Sequence, residues 1–82
     1  MDERKKIKSF ILQNFLFTDD EAAVADSDSL IARGVIDSTG ILELILFLEE
    51  SFAIKVREDE MVPSNFDSID SIASFVARRA GS

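Results

Sequence analysis

Apolar residues recur at helical spacing in three stretches of this 82-residue chain, and a long polar interval separates the first stretch from the second. In the first, Ile7, Phe10, Ile11 and Phe15 share a face, which predicts a helix from Asp2 to about Leu16. Leu12, Leu16 and Phe17 widen its apolar side, while Arg4, Lys5, Lys6 and Lys8 lie mainly elsewhere. In the last, Ile69, Ile72, Ala73 and Val76 form one face with Phe66 and Phe75 beside it. That helix is expected to begin near Asp67 or Ser68, with Arg78 and Arg79 at its negative dipole end and Gly81 beyond.

The middle stretch, Val35 to Phe52, is the most informative. Asp37, Ser38 and Thr39 can each accept hydrogen bonds from the amides of a first helical turn, so any of them can be the N-cap. Ile41, Leu44, Ile45, Leu48 and Phe52 fall on one face and are assigned to the core, with Glu43 and Glu50 opposite. Leu42 and Leu46 stand on one flank and Phe47 on the other. This helix carries more apolar surface than one buried stripe requires, so these flanking residues form either a partner surface or a second packing contact.

Between the first two helices the chain turns polar from Thr18 to Ile36. Thr18 to Glu21 and Asp26 to Ser29 each suit a short capped turn, and Val24, Leu30, Ile31, Val35 and Ile36 are the expected anchors. Gly34 is expected to take a backbone conformation that side chains disfavour. Asp26-x-Asp28 resembles the start of a calcium loop, but Leu30 and Ile31 occupy the positions that need an oxygen ligand and a glycine. Ala53 to Val56 is read as an extended linker docking Ile54 and Val56, followed by one short turn over Arg57 to Val62. With no second strand to pair, the chain is expected to be all-α: a small bundle of three to four helices, in one domain over residues 1–82, with a long first loop.

Composition narrows the function. The chain contains no Cys and no His, which excludes disulfides, thiol catalysis, histidine metal sites and the usual serine–histidine pair. No catalytic constellation can be assembled, and neither an enzymatic activity nor a metal is expected. A net charge of -7 opposes nucleic-acid binding. Nine acids and a single base, Arg33, lie between Ser9 and Ile54, so the negative field centres on Ser38 and favours basic protein partners. No apolar run reaches the length of a membrane span and the N-terminus lacks a signal-peptide pattern, so a monomeric, cytoplasmic protein is expected.

At Gly34-Val35-Ile36-Asp37-Ser38 the sequence resembles the acyl carrier protein family, and the likeness covers almost the whole chain. It includes Asp28-Ser29-Leu30 in the long loop, Glu43-Leu44, Leu48-Glu49-Glu50-x-Phe52, Ile54-x-Val56 and Ile69-x-x-Ile72. The resemblance implies the carrier bundle and a 4'-phosphopantetheine arm, transferred from coenzyme A to Ser38 by a phosphopantetheinyl transferase, with Asp37 beside the attachment point. It implies that the arm holds cargo as a thioester, and that loading and transferring enzymes approach with basic patches. The partner-facing residues would be Thr39, Leu42, Glu43, Leu46, Phe47, Glu49 and Glu50.

Thr39 and Gly40 depart from the fatty-acid carriers, which usually have leucine and then an acid, and the Ser-Thr-Gly variant looks more like specialised stand-alone carriers. Gly40 is expected to loosen the first turn of the helix. The leading expectation is an acyl carrier of fatty-acid biosynthesis, its chain sheltered among Ile41, Leu44, Ile45, Leu48 and Ile72. An aminoacyl or peptidyl carrier is the alternative, because of Thr39 and Gly40, and Phe47, Phe52, Phe66 and Phe75 separately oppose sequestration if they fill the interior. An unmodified acidic helical adaptor is the further alternative.

Overall fold

The computed structural model of the protein describes residues 3–80, so the expected helix start at Asp2 and the stop at Gly81 lie outside the described residues. Three α-helices carry the structure: α1 (Glu3–Ile11), α2 (Ser38–Phe52) and α3 (Ile69–Ala80). No strand occurs among the described residues. Single 3-10 turns occupy Glu21–Ala23, Glu58–Glu60 and Pro63–Asn65, the last of which the sequence pattern did not predict.

The first helix does not continue to Leu16 in α form. Leu12–Leu16 widen into a π-helical turn that ends at Phe17, whose φ of 55° is left-handed. The N–H groups of Phe17 and Thr18 both donate to the Leu12 carbonyl, which holds the chain in that conformation against a cost of roughly 1–2 kcal/mol for a residue with a side chain. Leu12 is thereby buried and Phe17 is turned out, 84% exposed. The expectation that Phe17 widens the inward apolar side is corrected by this turn.

The first two helices are antiparallel, as their phenylalanines show. Phe15 reaches the start of α2 at Gly40, Phe10 stacks on Phe47 at 4.0 Å, and Lys6 lies over the Phe52 ring at the far end. The C-terminal end of α1 therefore meets the N-terminal end of α2. Ile7, Ile11, Leu44, Leu48, Ile69, Ile72 and Val76 fill the interior among the three helices, joined by the buried pair Phe66 and Phe75.

The long first loop is pinned at both ends of its second half. Val24, Leu30 and Ile36 are buried anchors and Val35 packs partly, but Ile31 is 37% exposed, which corrects its assignment. It stands on the outside of the turn that Leu30 anchors. Gly34 closes that turn at φ 74°, as its lack of a side chain led one to expect. Asp67 binds the loop to the start of α3: its carboxylate accepts from Ser29 Oγ (2.8 Å) and the Ile31 N–H (3.0 Å), and its carbonyl accepts from the Leu30 N–H (2.6 Å). Ser68, freed from that task, caps α3 by accepting from the Ser71 N–H. The would-be calcium acids have other partners. Asp26 pairs with Lys8 and Arg4, Asp28 pairs with Arg33, and Arg4 also bonds Asp70.

Candidate functional site

The site lies at the first turn of α2. Asp37 is the N-cap: its backbone is extended and its Oδ1 accepts from the Gly40 N–H at 2.8 Å. Three candidates for the cap thus reduce to one, and the hydroxyl of Ser38 is not spent on it. Ser38 and Thr39 are exposed in the first turn, and α2 directs its positive dipole end at them. A negatively charged group on Ser38 Oγ would meet unsatisfied amides there.

Gly40 does more than loosen the turn. It is buried, and a Cβ at that position would lie 2.9 Å from Cε1 of Phe15 and 3.4 Å from both Asp37 Oδ1 and Ile36 Cγ2. The absent side chain lets the Phe15 ring close against the turn that carries Ser38. Phe15 is therefore a site-forming residue that the helical spacing assigned only to the core. The departure at Gly40 is the signal that could have revealed it.

Along α2 the expected flank separates into two groups. Leu42 and Leu46 are 57% and 59% exposed, and Glu43 and Glu50 are exposed beside them. These four residues form an apolar and acidic surface running from Ser38. Phe47 belongs elsewhere: it is half-buried, stacked on Phe10 and edge-on to Phe52 at 6.2 Å. Its assignment to a partner surface is corrected, because α1 covers the flank from which it projects. Glu49 is also half-buried, with Oε2 accepting from the Val56 N–H at 3.0 Å, so it ties the linker to α2 instead of standing free for a partner. Ile41 and Phe52 are at the margin of the core, partly buried.

In the interior Leu44, Leu48 and Ile72 are fully buried, and Phe66 and Phe75 pack T-shaped with ring centroids 5.4 Å apart. A surface cleft of about 420 Å³ lies between α1 and the first loop, lined by residues such as Lys8, Leu12 and Asp26. It does not touch Ser38 or the aliphatic residues expected to line a shelter. Among the described residues no helix is long and apolar enough to cross a membrane.

No family model matches the chain. It is 36% identical over 74 residues to the D-alanyl carrier protein of Streptococcus uberis, covering 90% of this chain and 89% of that protein. It is 37% identical over 76 residues to the D-alanyl carrier protein of Streptococcus suis, covering 93% of this chain and 92% of that one. Among solved structures, the apo form of the peptidyl carrier protein KstB-PCP superposes with a TM-score of 0.79 and 36% identity, over 95% of this chain and 86% of that chain. These relatives do not support the fatty-acid pathway that led the expectations. They favour the aminoacyl alternative, and carrier proteins are not themselves enzymes. The chain belongs to the carrier protein family, alongside the D-alanyl and peptidyl carriers that it resembles in sequence and in fold.

Proposed function

We propose that the protein is an aminoacyl carrier whose Ser38 receives a 4'-phosphopantetheine arm. The observation that carries the reading is the exposed Ser38 at the dipole end of α2, spared from capping by Asp37, in a chain related to D-alanyl carriers. The arm would supply a terminal thiol, which a cysteine-free chain lacks, to hold the cargo as a thioester.

In the attachment reaction Ser38 Oγ attacks the phosphorus of coenzyme A that bears pantetheine. The new P–O bond replaces the bridging P–O bond, adenosine 3',5'-bisphosphate departs, and a base on the transferase takes the serine proton. The chain contributes position and charge. Asp37 fixes the first turn, the positive dipole end of α2 would favour the charge of the phosphodiester, and the Phe15–Gly40 contact holds the turn against the π-helical turn that follows α1. Leu42 and Leu46, bordered by Glu43 and Glu50, offer transferases and loading enzymes an apolar contact with an acidic rim.

A short polar cargo suits this structure. Sheltering a fatty chain gains about 0.8 kcal/mol per methylene only if space opens for it, and the buried Phe66, Phe75, Leu44, Leu48 and Ile72 would have to part to open it. The test compares wild type and Ser38→Ala after incubation with coenzyme A and a broad-specificity phosphopantetheinyl transferase. Wild type should gain one phosphopantetheinyl group by intact mass and Ser38→Ala none, with helical content unchanged. An equal gain in both would remove Ser38 from the reading.

A further inference from the structure

The Phe17 side chain stands outside the core, although its backbone closes the π-helical turn. Its ring is 84% exposed although its position, seven residues after Phe10, would return it to the covered face of an unbroken α-helix. The π-helical turn and the left-handed Phe17 backbone direct it outward instead, locked by the two bonds to the Leu12 carbonyl. It is also near the modification site. Phe17 is two residues from Phe15, Phe15 touches the Gly40 position, and Gly40 is two residues from Ser38. Two residues span at most ~7 Å of chain, so Phe17 belongs to the Ser38 end of the molecule.

The surroundings indicate the partner's chemistry. Asp19, Asp20 and Glu21 follow Phe17 and are exposed, and no Lys or Arg occurs from Ser9 to Ala32. Arg4, Lys5 and Lys8 on α1 line one cleft with Asp19 and Glu21, but Arg4 and Lys8 bind Asp26 and Arg4 also binds Asp70, so Lys5 offsets only part of the charge of the three acids after Phe17. An exposed aromatic ring bordered by acids fits an apolar pocket with a basic rim. Enzymes that act on the thiol work at the far end of a flexible arm. The transferase must bring coenzyme A's phosphorus to Ser38 Oγ itself, so it is the partner that has to touch the protein around that serine.

We infer that Phe17 is a docking anchor for the phosphopantetheinyl transferase, separate from the α2 flank. The inference rests on Ser38 being the attachment residue. Phe17→Asn deletes the ring and keeps a residue tolerant of the left-handed backbone, while Phe17→Leu keeps an apolar anchor. With coenzyme A and a broad-specificity transferase, Phe17→Asn should lose at least about ten-fold in kcat/KM through a higher KM, at unchanged kcat and undiminished melting temperature. Phe17→Leu should retain most of the efficiency. Wild-type efficiency in Phe17→Asn, with modification mapped to Ser38, would overturn the anchor alone. Absence of modification at Ser38 in the wild type would overturn the attachment reading and the anchor with it.

Discussion

At Gly40 one missing side chain decides how α1 meets the site. Alanine has the better helix propensity, by up to about 1 kcal/mol, yet its Cβ would crowd the Phe15 ring at 2.9 Å. Phe15 cannot swing away freely, because its ring also packs edge-on against Phe10 with centroids 5.9 Å apart. Overpacking of this kind costs about 1–3 kcal/mol, so Gly40→Ala should be net destabilising in urea unfolding. Phe15→Leu in the same chain should recover part of the loss; a stabilised Gly40→Ala would show that the ring yields. Asp37→Ala removes the cap and should cost about 0.5–2 kcal/mol by the same measurement.

At the scale of elements, adjacent positions on α2 should behave oppositely. Phe47→Ala breaks the stack with Phe10 and should cost about 2 kcal/mol, below the full cost for a buried phenylalanine because the residue is half-buried. Leu46→Ala, more than half exposed, should change stability by less than about 0.5 kcal/mol and slow modification by the transferase. Equal stability losses in the two variants would contradict the division of the flank. The three helices, Ser38's place at the head of α2 and the docking of Val56 were legible in the sequence, because helical periodicity and capping chemistry are local signals. The roles of Phe47, Glu49 and Ile31 were not. A helical wheel shows which residues share a face but not which face another element covers, and α1, the linker and the loop settled those positions. The π-helical turn was equally hidden, since Leu12 to Phe17 is apolar enough to continue an α-helix.

Across the whole molecule, hydrogen bonds and ion pairs hold a long polar loop onto an apolar core. Asp28 shows how this depends on pH. The Ala25 N–H, and then the Arg33 guanidinium, hold its carboxyl below the ordinary value of 3.8. A carboxylate whose folded value is depressed adds stability that is fully present above the unfolded value and is lost as pH falls through the folded one. Asp28→Asn should therefore flatten the acid limb of the stability profile below about pH 4, as followed by thermal melts across pH; an unaltered limb would remove Asp28 from the loop's acid sensitivity. Hydrogen exchange should report the same architecture, with the Leu30 amide, which donates to the Asp67 carbonyl and belongs to a buried residue, more protected than the amides of the exposed residues Asp20 and Ala22.

At this scale the proposed function brings together an exposed serine at the head of α2, an apolar and acidic surface beside it and a core of buried aliphatic and aromatic residues. The most direct measurement is localised mass spectrometry of the protein after transferase and coenzyme A, then ATP, a panel of amino acids and their activating ligases. The peptide containing Ser38 is predicted to carry the phosphopantetheinyl arm with one aminoacyl group, released by hydroxylamine as a thioester should be. An arm on a different serine, or an arm on Ser38 that accepts saturated fatty acyl groups with a melting temperature rising with chain length and never takes an aminoacyl group, would contradict it.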